Sequence, residues 1–430
     1  MKLTGKRTRL SAAIAAVTVA ALSLTACAGG GQSASGTAAG GDSGTLSAWV
    51  WPGAMGEDVM SAATTQFASD KLEFNTIGDN FKQKLVTVFT GKSGVPSITG
   101  VKGEDMPYFR QQGELFTDLK TLGVDDILAQ YPSWKLAEAT TADGKLIGLP
   151  MDIGPTGLFY RTDVLAQAGL PTDPAEVAAQ TSTWEDYFAF GEKLKAATGA
   201  FISVSIDDVF TKVMGQSTSG IVGPNGEFQG DSETVKKAWD LSVEAYQRGL
   251  VANLVDESPD WASAVSSGKI PTVIGAAWHA GDIKGAVPDT SGKWAVTTTP
   301  GGPANIGGSF LTIPAGTANT AEAIKVIRYL LDPKNQAITY TQVGNFPSNA
   351  QTLNEPQLKE GDAFFGGQVT APVFEKAVES MPTKVTSPYE SEASAPYTTE
   401  LINVATQGKD PQQAWTDAVA ASKQALAAAQ

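Results

Sequence analysis

At 430 residues the chain exceeds what one hydrophobic core usually supports, so two domains are expected. Forty-five acidic against 31 basic side chains give a net charge of −14, a surface that repels nucleic acid and anionic headgroups. With a single cysteine no intrachain disulfide is possible, and one histidine leaves few soft metal ligands; no calcium-loop pattern is present, and no metal or cofactor is expected.

The elements begin with a leader. Lys2, Lys6, Arg7 and Arg9 precede an apolar stretch from Leu10 to Leu24, which runs into Leu24-Thr25-Ala26-Cys27. This order predicts a secretory signal peptide over residues 1–26. Its apolar stretch of about 15 residues is shorter than the roughly 20 that span a bilayer. The Leu-Thr-Ala-Cys end resembles the lipobox of bacterial lipoproteins. That resemblance implies that Cys27 carries a diacylglycerol and becomes the N-terminus after cleavage. Cleavage removes four basic residues and no acidic one, moving the net charge from −14 to −18. Seven of the 17 residues from Ala28 to Gly44 are glycine. Residues 27–44 therefore read as a lipidated cysteine and a flexible tether, with a reach of roughly 23 Å. The expected location is extracytoplasmic, anchored to the cell membrane through Cys27.

Beyond the tether, Thr45 to Trp51 predicts a strand and Asp58 to Phe67 a helix. Phe81, Leu85, Val88 and Phe89 have the spacing of an amphipathic helix. Thr183 caps a further helix with Asp186 three residues on, and Gly199 closes it. Asn225-Gly226 predicts a tight turn. Asn319 to Leu331 predicts a helix with Asn319 as cap, Glu322 reaching back, and Ile324, Ile327 and Leu331 on one face; Asp332-Pro333 ends it. Such alternation predicts an α/β fold with mostly parallel sheets.

Several ordered segments carry a family likeness. Leu146-Ile147-Gly148-Leu149-Pro150-Met151-Asp152 precedes Gly157-Leu158-Phe159-Tyr160-Arg161-Thr162-Asp163. Ala168-Gly169-Leu170-Pro171 and Thr183-Trp184-Glu185-Asp186 follow. Later come Gly307-Gly308-Ser309-Phe310-Leu311-Thr312-Ile313-Pro314 and Phe346-Pro347-Ser348-Asn349, where Phe346 and Asn349 depart from the usual pattern. In this order they resemble the sugar- and oligosaccharide-binding group of the extracellular solute-binding proteins of ABC importers. The resemblance implies two lobes joined by three crossings, with the ligand in the cleft between them. Lobe one would take residues 45–152 and 300–345, and lobe two 157–298 and 348–430. It also implies a monomer that hands its ligand to the membrane permease subunits of an ABC transporter.

A pyranose offers an apolar C–H face to aromatic rings and a hydroxyl-rich edge to carboxylates and amides. Of nine tryptophans, Trp184, Trp239 and Trp415 fall within helical patterns and read as packing residues. Trp51 ends the first strand before Pro52-Gly53, Trp278 follows a predicted strand, and Trp261 follows Ser258-Pro259-Asp260; for all three, ligand contact and core packing are both open. Glu104 lies at a strand end and Asp152 at the first crossing, both expected to accept sugar hydroxyls. Asn80 and Asp208 complete the polar candidates. Ser309 and Phe310 follow two glycines, where backbone amides can approach a ligand. The alternatives are a polyol or a glycerophosphodiester; a phosphodiester would call for Arg or Lys in the cleft, and Lys102 and Arg161 keep that open.

An enzyme needs a constellation that the chain lacks. Any serine–histidine triad must use His279, and there is no Gly-x-Ser-x-Gly elbow. Ser266 to Lys269 forms one Ser-x-x-Lys, at the expected end of a helix. The pairs Glu104-Asp105 and Asp207-Asp208 are sequence neighbours that point apart on an extended chain, so neither makes a glycosidase dyad. No catalytic residue is expected.

Overall fold

The computed structural model describes residues 45–430 except Val385. The leader, Cys27 and the tether lie outside the described residues. Ten strands occur in chain order: β1 Ser47–Val50, β2 Glu73–Thr76, β3 Ile98–Val101, β4 Leu149–Pro150, β5 Asp152–Ile153, β6 Thr156–Arg161, β7 Thr272–Ala276, β8 Trp294–Thr297, β9 Phe310–Thr312 and β10 Phe346–Pro347.

The first sheet has the order β2-β1-β3-β9-β4. β1 runs parallel to β2 and β3, because the helices Glu57–Gln66 and Phe81–Gly91 carry the chain back between them. Ala48 and Val50 of β1 point into the core. The second sheet, β7-β6-β8, is antiparallel throughout. β3–β9, β4–β9 and β5–β10 are antiparallel as well. The α/β class therefore holds, whereas the expectation of mostly parallel sheets does not. The reason is the cleft. β6 and β9 each begin where the chain has just crossed between lobes and run away from the cleft, while their neighbours run toward it.

Two bodies of core result. One hydrophobic cluster draws on residues 46–151 and 310–331. Three further clusters draw on residues 153–296 and 337–426. Helix Pro333–Val343 follows the first body in sequence but places Ala337 and Tyr340 in the second set. Among the described residues the chain passes between these clusters three times, at residues 151–153, 296–310 and 331–337. The first two passages come together at Gly154, where a Cβ would lie 1.8 Å from the Ile306 carbonyl oxygen. Only glycine permits the pair of bonds there: Ile306 N–H donates to Gly154 O at 2.8 Å, and Gly154 N–H donates to Asn305 Oδ1 at 2.8 Å. Gln216 braces the second crossing by donating to the carbonyls of Pro300 and Gly302, while accepting from Trp184 Nε1.

Local signals were reliable where they were self-contained. Thr183 and Asp186 form a reciprocal capping box, and Gly199 ends that helix in the left-handed conformation. Gly226 turns a short antiparallel bridge, Val222 to Phe228. Asn319 differs from expectation. It precedes helix Thr320–Leu330 without any side-chain cap bond, and Glu322 pairs with Lys325 instead. Ile324, Ile327 and Leu331 are buried on the face predicted for them. No helix among the described residues is long and apolar enough to cross a membrane.

Candidate functional site

The strand polarity places the C-terminal ends of β1, β3, β4 and β7 on one cleft. A cavity of about 640 Å³ opens there between the two bodies, within the range of small-molecule sites. From the first body come Trp51, Pro52, Gly53, Lys102, Glu104 and Asp152; from the second come Glu257, Trp261, Trp278 and Asp282; Gly307, Gly308, Ser309 and Asn345 also line it. A further cavity of about 440 Å³ shares Glu104 and Gly307 with the first and extends past Trp134, Arg110 and Phe210 toward Glu390. The cleft is thus long, with Glu104 at its waist.

Trp51 is half-buried. Its ring meets Phe81 edge-on at 5.3 Å and lies so close over Gly100 that a Cβ there would come within 2.7 Å. The Lys102 ammonium sits 5.4 Å from the ring centre. Trp278, also half-buried, donates from Nε1 to the Ile306 carbonyl at 3.1 Å and packs on His279 at 4.5 Å. Trp261 lines the cavity but is only 2% exposed and belongs to a core cluster. Its place in the first turn of helix Pro259–Ser266, capped by Ser258, drives the indole inward.

Asp152 is buried at the floor, where its Oδ1 accepts from the Ser309 amide at 2.7 Å. Burial raises its pKa; the Ser309 bond and Lys135 act in the opposite direction, and Glu104 adds to the rise. Lys135, in helix Ser133–Glu138, is wholly buried beside it, donating to Gly308 O at 2.8 Å and Glu138 Oε2 at 2.6 Å. Glu104 keeps contact with water through the cavity, yet protein crowds around it. This desolvation raises its pKa, and the Asp105 charge adds to the rise against the pull of Lys102 and Lys135. Asp282 is pushed up to about 7 and Asp256 to about 6, chiefly by desolvation and then by neighbouring carboxylates.

Trp51, Glu104, Asp152, Trp261, Trp278 and Ser309 therefore meet around one cavity. The Ser309 amide, expected to face a ligand, is taken by Asp152. Three other candidates lie elsewhere. Phe310 is fully buried in the first core beneath Lys135, whose ammonium stands 4.3 Å from the ring. Asn80 is exposed and turns the chain with φ +61° before helix Phe81–Gly91. Asp208 is occupied within its own segment, accepting from Ser203 Oγ at 2.8 Å and pairing with Lys212 at 3.2 Å. Arg161 is likewise spent, forking onto Asp163 and donating to the carbonyls of Val265 and Ser266. Sequence reasoning missed Trp134, Glu257, Asp282 and Asn345. Asn345 Nδ2 donates to the carbonyls of Gly53 and Ala54 at 3.0 and 2.9 Å, holding the Pro52-Gly53 loop. Its position just before Phe346-Pro347, where the family resemblance puts the last crossing, was the available signal.

Comparison with known proteins resolves what this two-body architecture is. Residues 79–366 match the family of bacterial extracellular solute-binding proteins. The chain belongs to that family. Among solute-binding proteins of known structure, one described as extracellular solute-binding protein family 1 superposes with a TM-score of 0.78 at 27% identity, covering 89% of this chain and 99% of the other. A lactose-binding protein of Rhizobium radiobacter is 31% identical over 245 residues, 53% of this chain and 56% of the relative. An arabinooligosaccharide-binding protein of Bacillus subtilis is 24% identical over 283 residues, 58% of this chain and 59% of the relative. The chain thus spans less than two thirds of the length of these two curated relatives.

Proposed function

We propose that this solute-binding protein captures a carbohydrate, in particular an oligosaccharide, in the interlobe cleft and delivers it unchanged to the permease of an ABC transporter. The observation that carries the reading is the lining of one cavity by tryptophans from both bodies together with the acceptors Glu104 and Asp152. Indoles suit the apolar face of a pyranose, and carboxylates suit its hydroxyls. Charge favours a neutral ligand over a phosphodiester: Lys102 is the one basic residue against Glu104, Asp152, Glu257 and Asp282 in that lining. The adjoining second cavity gives room for further sugar units. The lactose- and arabinooligosaccharide-binding relatives are of the same ligand class.

Binding would close residues 45–152 with 300–345 onto residues 157–298 with 348–430, the three crossings acting as hinges. Helix Pro333–Val343 touches both bodies: Ala337 and Tyr340 enter the second-body cluster, while Thr339 and Gln342 bond Gly56 and Asp58 of the first. A lipid on Cys27 would hold the protein at the outer face of the membrane; fatty-acid labelling of wild type that persists in Cys27→Ser would refute this. Calorimetry with lactose, arabino-oligosaccharides and glycerophosphocholine tests the ligand class. Saturable binding to a sugar is expected, and binding of the phosphodiester alone would overturn the reading.

A further inference from the structure

Behind the second-lobe wall of the cavity, which Glu257 and Asp282 help to line, lies a buried imidazole that sugar binding leaves unused. His279 opens helix His279–Ala286 and is 2% exposed, yet neither ring nitrogen has a hydrogen-bond partner among the described residues. Nε2 stands 3.9 Å from Asp256 Oδ2, and Nδ1 stands 3.9 Å from Asp282 Oδ2. Both distances exceed a hydrogen bond. Donor atoms of Asp256, Glu257 and His279 lie within 4.8 Å of one another, and Asp282 Oδ2 is itself buried without a partner. Lys212, whose charge reaches Asp256 and His279, already pairs with Asp208. A buried imidazole with two empty nitrogens beside three carboxylates is costly to maintain unless something joins them.

We propose that Asp256, Glu257 and His279 Nε2 bind one divalent transition-metal cation of the zinc or manganese type, with Asp282 accepting a hydrogen bond from Nδ1–H. A carboxylate behind a ligating histidine fixes its tautomer and orientation. Tetrahedral zinc with bonds near 2.1 Å separates its donors by about 3.4 Å, so the carboxylates must close in by about 0.5–1.5 Å. Half-buried Asp256 and exposed Glu257 sit on the loop before helix Pro259–Ser266, and they supply that movement while His279 stays fixed. One imidazole among carboxylates suits zinc or manganese better than calcium or magnesium, which prefer oxygen shells. Glu257 and Asp282 also line the sugar cavity, so the cation would sit where its open position faces that cavity. No spacing motif announces the site, because Glu257 and His279 come from separate elements.

His279 is the chain's one histidine, which makes the test direct. Untagged full chain, stripped with a chelator and labelled with ¹⁵N-histidine, should show a single imidazole whose Nε2 resonance moves on addition of one equivalent of zinc. Calorimetry should give one zinc or manganese site per chain, with calcium at least tenfold weaker. The double variant Asp256→Asn with Glu257→Gln replaces loop carboxylates by amides of the same size and should keep the fold, while weakening zinc at least tenfold. Zinc binding that leaves the imidazole resonance unmoved, or that persists in the double variant, would mean scattered binding to an acidic surface only. Absence of any saturable heat would equally overturn the proposal.

Discussion

The two walls of the cavity use tryptophan differently. On the first body Trp51 stands at a strand end, braced from below by Phe81 and Gly100, with its remaining face toward the cavity. On the second, Trp261 is sealed into a core cluster and Trp278 is tied to the Ile306 carbonyl. The first wall presents a half-buried ring that packs against its core on one side and leaves the rest toward the cavity. The second presents rings that hold the fold and happen to border the cavity. Aromatic lining alone does not distinguish recognition from support; what lies behind each ring does.

The largest test of this contrast is Trp261→Ala. Removing a core indole should cost about 3–5 kcal/mol of stability, seen as a lower unfolding midpoint without ligand. A midpoint close to wild type would move Trp261 to the recognition side. Trp51→Ala should do the reverse, weakening sugar binding about ten- to a hundredfold, or about 1.4–2.8 kcal/mol, with a much smaller change in unliganded stability. Equal losses of stability in the two variants would abolish the distinction between the walls.

The smallest effect concerns Glu104, the waist that both cavities share. Its raised pKa means that the folded state binds more protons than the unfolded state between the ordinary value of 4.5 and the raised one. Its contribution to stability is therefore fully present below pH 4.5 and is lost as pH rises through the raised value. Glu104→Gln, always neutral, should flatten that slope while weakening sugar binding about tenfold at pH 7 through loss of a charged acceptor. The affinity gap should narrow as wild type becomes protonated in acid. Calorimetry and thermal unfolding from pH 4 to 8 would reveal it, and a gap independent of pH would remove Glu104 from the acceptor role.

How much of this was legible in the sequence follows from how local each cause is. The capping box at Thr183 and the stop at Gly199 need only a few neighbouring residues, and both read correctly. Trp51 and Glu104 could be placed because strand ends are visible as breaks in hydropathy, and Asp152 because the family resemblance marks the first crossing. Strand direction was not legible: it depends on which strands the chain enters from the cleft, a property of the whole path. The burial of Trp261 and Phe310 depends on packing partners distant in sequence, as does the pairing of Asn345 with the Pro52-Gly53 loop. The same holds for His279 and Asp256, whose proximity no spacing rule anticipates.

Asp152 belongs to the first crossing, but the amide that aims its carboxylate belongs to Ser309 on the second. Any twist of one crossing against the other must therefore re-aim the carboxylate that the proposed reading makes a ligand acceptor. The acceptor doubles as a gauge of the angle between the lobes, so that a mutation far from the cleft could change affinity simply by resetting the zero of that gauge.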